Sequence, residues 1–192
     1  LAGLAAADAI LASNSSSLPT RLVADVVARP ERLLNAHCYR PPEMPAVELM
    51  SCGQTDPAVI AALAGRLPRY GFVPFVVARE SDGFIFNRVW AAIKRECLLV
   101  VAEGVARPED VDALWRLFTA RDVAPFALMD DVGLDVVLDI EEHYASVRPG
   151  LPEEVRRLLR EHVAAGRLGV KSGRGFYDHP DGTSRTPLRR SR

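Results

Sequence analysis

The feature that most limits what this chain can become is a change of hydrophobic period at Ser81-Asp82-Gly83. Before it, short apolar runs alternate with helical stretches. Ala9-Ile10-Leu11-Ala12 reads as a buried strand ending in the polar loop Asn14-Ser15-Ser16-Ser17. Leu18 to Ala28 reads as a helix, with Leu22, Val23, Val26 and Val27 on one side and Pro19 tolerated near the first turn. Leu33 to Tyr39 and Ala46 to Ser51 read as strands, separated by a connection carrying Pro41, Pro42 and Pro45. Asp56-Pro57 opens a helix to Leu67, and Phe72 to Val77 is a β-branched and aromatic strand. Such alternation predicts an α/β sheet.

After Gly83 the period becomes helical throughout. Phe86, Val89, Trp90, Ile93, Cys97, Val100 and Val101 recur at three- and four-residue steps. Pro108-Glu109-Asp110 places a proline and two acids in the first turn of a second helix, whose apolar face holds Val111, Leu114, Trp115 and Phe118. Leu134 to Tyr144 and Pro152 to Ala165 are further helices, the latter ending before Gly166. The predicted organisation is α/β then all-α: residues 1–80, residues 81–180, and a disordered tail over 181–192. That tail carries four arginines and almost no apolar content.

Composition narrows the function classes. With 192 residues, 48% of them hydrophobic, the chain can bury one good core or two small ones. A formal net charge of −1 supplies no field toward nucleic acid or an anionic membrane. No apolar run approaches the ~20 residues of a membrane span. Cys38, Cys52 and Cys97 form no CxxC pair, so no metal site is read, and an odd count suits a reducing cytoplasm. Lys94 and Lys171 are the only lysines, which makes each conspicuous. The chain begins at Leu1 in an Ala-rich stretch without a basic leader, the look of a start inside a domain.

The polar residues at the ends of these elements point to proton-transfer chemistry. Oxidising a secondary alcohol requires a base of near-neutral pKa, and histidine is the natural choice. His37 ends one predicted strand and Glu48 lies in the next, a spacing that permits a cross-strand pair. A carboxylate partner would fix the imidazole tautomer and stabilise the imidazolium. A lone strand-end histidine is more often structural, and Glu48 alone reads equally as a solvated charge. Ser15, Ser16 and Ser17 are ordinary turn residues, and a Ser–His–Glu nucleophilic triad is disfavoured because no G-x-S-x-G elbow surrounds them. Asn87, in a helix's first turn, serves as a cap or a ligand contact.

These landmarks resemble, in order and nearly in spacing, the L-3-hydroxyacyl-CoA dehydrogenase family. The resemblance runs through Asn14-Ser15-Ser16-Ser17-Leu18, His37 with Pro41, Glu48, Thr55-Asp56, Asp82-Gly83-Phe84-Ile85 and Asn87-Arg88. It continues through Glu103-Gly104-Val105, Pro108 to Asp112, Ala124-Pro125-Phe126, Asp130, Gly133-Leu134-Asp135 and Lys171 to Tyr177, leaving out only the tail. It implies the C-terminal part of a Rossmann-type NAD-binding domain followed by a helical substrate and dimerisation domain. His37 is then the general base, Glu48 its orienting acid, Ser16 a contact to substrate hydroxyl and nicotinamide, and Asn87 a substrate-contacting amide. Asn14, Ser16, Arg40 and Lys171 are the implied cofactor-side residues. The implied reaction is NAD-dependent oxidation of an L-3-hydroxyacyl-CoA, as in fatty acid β-oxidation, by a homodimer.

The chain departs from the family pattern in several places. Arg40 stands where the family has Asn, Glu48 is one residue nearer the histidine, and Thr119-Ala120-Arg121-Asp122 replaces a Gly-rich turn. No Gly-x-Gly-x-x-Gly is present to hold a pyrophosphate, and Gly173-Arg174-Gly175 follows no predicted strand and opens no helix. The leading expectation is therefore a fragment or truncated member, inactive by itself. A dehydrogenase of a small 3-hydroxy or sugar acid and a non-catalytic dimerisation remnant are the alternatives.

Overall fold

A computed structural model describes residues 5–6, 8–16 and 18–182 of the chain. The Arg40 side chain, Ser17 and the expected tail from Thr183 onward lie outside the described residues. The chain forms two compact units, Leu1–Trp90 and Ala91–Arg192.

The first unit is an open sheet. It contains β1 (Leu11–Ser13), α1 (Arg21–Ala24), β2 (Leu33–Arg40), β3 (Met44–Ser51), α2 (Pro57–Arg66), β4 (Val73–Val76) and the start of α3 (Phe86–Ala102). The strands lie in chain order, with β1 and β2 parallel, β2 and β3 antiparallel, and β3 and β4 parallel. The reversal at the centre follows from chain length: residues 41–43 are too few for a crossover, so β2 and β3 form a hairpin. Alternation along the strands sends Leu34, Val47 and Leu49 to one face, where Val59, Ile60 and Leu63 of α2 cover them. Asp56 caps α2 by accepting from the Ala58 N–H at 2.8 Å, with Pro57 in the first turn. The helix predicted over 18–28 shrinks to the four residues of α1. Leu22, Val23 and Val26 are exposed, and of this segment Ala24 and Val27 pack against Leu11, Leu33 and Cys52, too small a buried face to hold a longer helix.

The second unit is helical: the remainder of α3, then α4 (Pro108–Thr119), α5 (Pro125–Val132), α6 (Leu134–Val147) and α7 (Glu153–Ala164). The α/β-then-helical order read from the period change is the order adopted. Its core holds Leu98, Phe126, Met129, Leu134, Val155 and Leu159 with Phe176. None of its helices, nor any other described helix, is long and apolar enough to cross a membrane. Two fully buried carboxylates organise it. Asp112 of α4 accepts from the Phe126 and Ala127 N–H groups at 2.9 and 3.0 Å, closing the N-terminus of α5, and from the Tyr177 hydroxyl at 2.9 Å. Asp130 of α5 accepts from the Phe176 and Tyr177 N–H groups, each at 2.9 Å, and pairs with His179 Nε2 at 2.9 Å. Gly175 lies so close to Asp130 that a Cβ there would meet Oδ1 at 2.1 Å. The Gly173-Arg174-Gly175 run therefore serves close packing rather than phosphate binding. Lys94 of α3 is buried and paired with Glu141 of α6 at 3.1 Å, while Arg95 Nε reaches the other oxygen at 2.7 Å. Burial draws the Lys94 ammonium below its ordinary range, and the Glu141 charge opposes that.

Two stability outcomes follow from these contacts. Ala120 ends α4 with a left-handed φ of 51°, at the departure from the family's Gly-rich turn. Ala120→Gly should stabilise the chain by about 0.5–1 kcal/mol, read by urea or thermal unfolding. Asp130→Ala strands three buried donors and should cost on the order of 3 kcal/mol in the same assay.

Candidate active site

The site is assembled on the C-terminal side of the parallel pair β1 and β2. The register Leu11↔Leu33 and Ser13↔Asn35 ends β1 while β2 continues. The chain leaving β1 is fastened to β2 at both ends. Asn14 Oδ1 accepts from the Cys38 N–H at 2.8 Å. Buried Asn35 accepts from the Thr20 N–H at 2.8 Å and the Thr20 hydroxyl at 2.9 Å, and its amide donates to the Leu18 carbonyl at 3.3 Å. Ser16 sits exposed between these two anchors. Crevices beyond the carboxyl ends of parallel strands are where α/β sheets take ligands.

His37 and Glu48 are register partners across the β2–β3 hairpin, and both are buried. Their side chains nevertheless have different partners. Glu48 accepts from the Ile85 N–H at 2.6 Å and the Phe86 N–H at 3.0 Å, and also from the Tyr39 hydroxyl. It thereby neutralises unsatisfied donors at the positive end of α3. Those N–H groups reach it because Gly83 and Phe84 both take left-handed conformations, at φ 80° and 55°. For phenylalanine this costs about 1–2 kcal/mol. Phe84 is buried, and its ring stacks on His37 with centroids 5.2 Å apart.

The docked helix start carries Asn87 to the histidine. Its Nδ2 lies 3.4 Å from His37 Nε2 and donates to the Ser16 carbonyl at 3.5 Å, both long contacts. With the amide nitrogen facing Nε2, a hydrogen bond between the two forms in the tautomer that carries its proton on Nδ1. Nδ1 is buried without a hydrogen-bond partner. Burial lowers the His37 pKa below its ordinary value, while the nearby Asn14 backbone and the Glu48 charge oppose the shift. The imidazole is therefore neutral at physiological pH and presents Nε2 as a base.

The structure thus brings Ser16, His37, Glu48, Asn87 and Asn14 together in the first unit. Lys171 lies in the second unit, where its Nζ is held between both oxygens of Asp135, at 2.5 and 2.6 Å. Sequence reasoning passed over Tyr39, Phe84 and Asn35. Tyr39 was findable, since it is two residues beyond His37 on the same strand and so shares its face. Nothing in the sequence announces the left-handed Phe84.

The residues present fit the reactive end of a nicotinamide cofactor and its alcohol, since an exposed serine loop, a neutral base and an amide converge there. No part of the sequence supplies the Gly-rich turn that would cradle a pyrophosphate.

Comparison with known proteins finds two family domains along the chain. Residues 1–81 match the 3-hydroxyacyl-CoA dehydrogenase NAD binding domain, and residues 83–179 match the 3-hydroxyacyl-CoA dehydrogenase C-terminal domain. The 3-hydroxyacyl-CoA dehydrogenase-like protein LAM1 of Cochliobolus heterostrophus is 45% identical over 151 residues, covering 78% of this chain and 32% of that protein. The 5-formyl-3-hydroxy-2-methylpyridine 4-carboxylate 5-dehydrogenase of Mesorhizobium japonicum is 30% identical over 195 residues, covering 99% of this chain and 63% of that one. The crystal structure of (S)-3-hydroxybutyryl-CoA dehydrogenase PaaH1 from Ralstonia eutropha superposes with a TM-score of 0.83 at 34% identity, covering 93% of this chain and 63% of that one. The chain spans less than two thirds of the length of each of these relatives. Two family domains, matched in sequence and in the order of sheet and helices, place this chain in the 3-hydroxyacyl-CoA dehydrogenase family.

Proposed function

We propose that the full-length protein oxidises the 3-hydroxyl of an L-3-hydroxyacyl thioester with NAD, and that this chain supplies the acid–base residues. The observation that carries the reading is a buried His37 whose Nε2 lies 3.4 Å from the Asn87 amide nitrogen beside the Ser16 loop. A substrate hydroxyl at Nε2 gives its proton to the imidazole, and Asn87 Nδ2 is free to turn its hydrogen bond toward the oxygen that develops into a carbonyl. Ser16, exposed on its loop, orients the alcohol from the other side. NAD, when bound, accepts the hydride from the carbinol carbon. Asn14 and Ser16 are the proposed cofactor contacts in this unit. Arg40 and Lys171 are proposed on the resemblance alone, and Lys171 would first have to share its charge with Asp135.

His37→Gln in the full-length protein should lower turnover by about 10²–10⁴-fold, the usual worth of a positioned acid–base group. Near-normal turnover at the pH optimum would remove His37 from the mechanism. A free hydroxy acid is the second reading, favoured by the similarity to the pyridine carboxylate dehydrogenase. Assay of 3-hydroxyacyl-CoA beside free 3-hydroxy and sugar acids separates the two, with turnover confined to the thioesters expected.

The same reading includes a homodimer through the helical unit. Leu114, Leu117 and Phe118 of α4 are exposed, Phe118 to 88%, and an apolar patch of this kind is normally covered by a partner. Sedimentation at micromolar concentration should report a dimer that Leu117→Asp dissociates. A monomer at all concentrations would rule the dimer out.

A further inference from the structure

His37 and Tyr39 leave β2 on the same face, and their rings meet edge to face at 4.5 Å. Both look toward Glu48, but the carboxylate accepts from Tyr39 and from two backbone N–H groups rather than from His37. Oε1 holds the Tyr39 hydroxyl together with the Phe86 N–H, while Oε2 holds the Ile85 N–H. His37 Nδ1 is left buried without a hydrogen bond, directly across the hairpin from the one charge that acts on it among the described residues. The Asn14 backbone also lies within hydrogen-bonding reach of the ring and favours its protonated form, while Phe84 and Asn87 are uncharged neighbours.

This arrangement suits the neutral imidazole and not the protonated one. When Nε2 takes up a proton, Nδ1–H becomes part of a cation inside an apolar setting, where an unpaired charge is costly. The charged acceptor that could meet it is Glu48, and of the three donors on that carboxylate the Tyr39 hydroxyl is the one carried by a side chain. The two backbone N–H groups are fixed by the start of α3.

We propose that Tyr39 is a positioning residue that occupies the Glu48 carboxylate while His37 is neutral and yields it to Nδ1–H when His37 is protonated. The hydroxyl thus keeps the imidazole a ready acceptor at rest, and its withdrawal lets the carboxylate stabilise the imidazolium formed during oxidation. The assignment rests on His37 being the base of the proposed reaction, yet it can be read without turnover.

The test is a titration of the His37 ring by NMR on the ¹³C,¹⁵N-histidine-labelled chain, with His37→Gln used to assign the signal. Tyr39→Phe removes the competing donor and should raise the His37 midpoint by roughly one pH unit. Glu48→Gln should lower it, and Tyr39→Phe should then have no further effect, a coupling that a merely structural tyrosine would not produce. Should Tyr39→Phe fail to fold, site-specific 3-fluorotyrosine at position 39 retains the shape and donates more strongly, so the midpoint should fall instead. A midpoint unmoved by either replacement, or moved equally with and without the Glu48 carboxylate, overturns the assignment. A coupled shift in a full-length protein that oxidises none of the tested hydroxy compounds would leave Tyr39 in place and overturn the proposed function. An active enzyme with an uncoupled His37 would do the reverse.

Discussion

The Glu48 carboxylate is the point on which the first unit turns. It lies on the central hairpin, yet it receives the N–H groups of Ile85 and Phe86 and so docks the start of α3 against the sheet. A helix begins with donors that nothing within the helix can satisfy, and a buried anion is the strongest way to meet them. Because the docking is electrostatic and local, it places Asn87, in the first turn of α3, with its Nδ2 3.4 Å from His37 Nε2. The left-handed Phe84 belongs to the same device: its backbone turns the donors toward Glu48 while its ring closes over the imidazole. Proton chemistry and helix placement therefore share one carboxylate.

Much of this was legible because it depends on local period and spacing. The strand, proline connection and second strand around His37 and Glu48 permit the two residues to lie opposite each other, and the register places them so. The helical period after Gly83 delivers α3, α4, α6 and α7 with boundaries close to those adopted. Three things were not legible, each for a physical reason. α5 went unread because its cap comes from Asp112 on the preceding helix rather than from a residue at its own start. The helix expected over 18–28 went wrong in the opposite sense, since an apolar stripe was present but its Leu22 and Val26 stay exposed. The choice of Glu48's partners was invisible because sequence gives register, and register does not say which donor a carboxylate takes.

The helical unit solves its own problem with the same chemistry. A thin layer of helices has limited apolar area, and Asp112, Asp130 and the Lys94–Glu141–Arg95 group place charge at its centre. Such groups are weak sources of net stability but exacting ones of geometry, because each donor must arrive in one arrangement. Lys94, conspicuous in an arginine-rich chain, is accounted for here as a structural ion pair. The cofactor-side reading of Lys171 is left to its exposed bridge with Asp135.

Asp112 and Asp130 both await groups from residues 176–179, the last well-packed stretch of the unit. During synthesis α4 and α5 leave the ribosome long before that stretch does. Until it emerges, Asp130 lacks its three donors and Asp112 lacks the Tyr177 hydroxyl. The buried polar centre of the helical unit is thus completed by Phe176, Tyr177 and His179, so helices formed early in the chain depend for their packing on a segment that follows all of them.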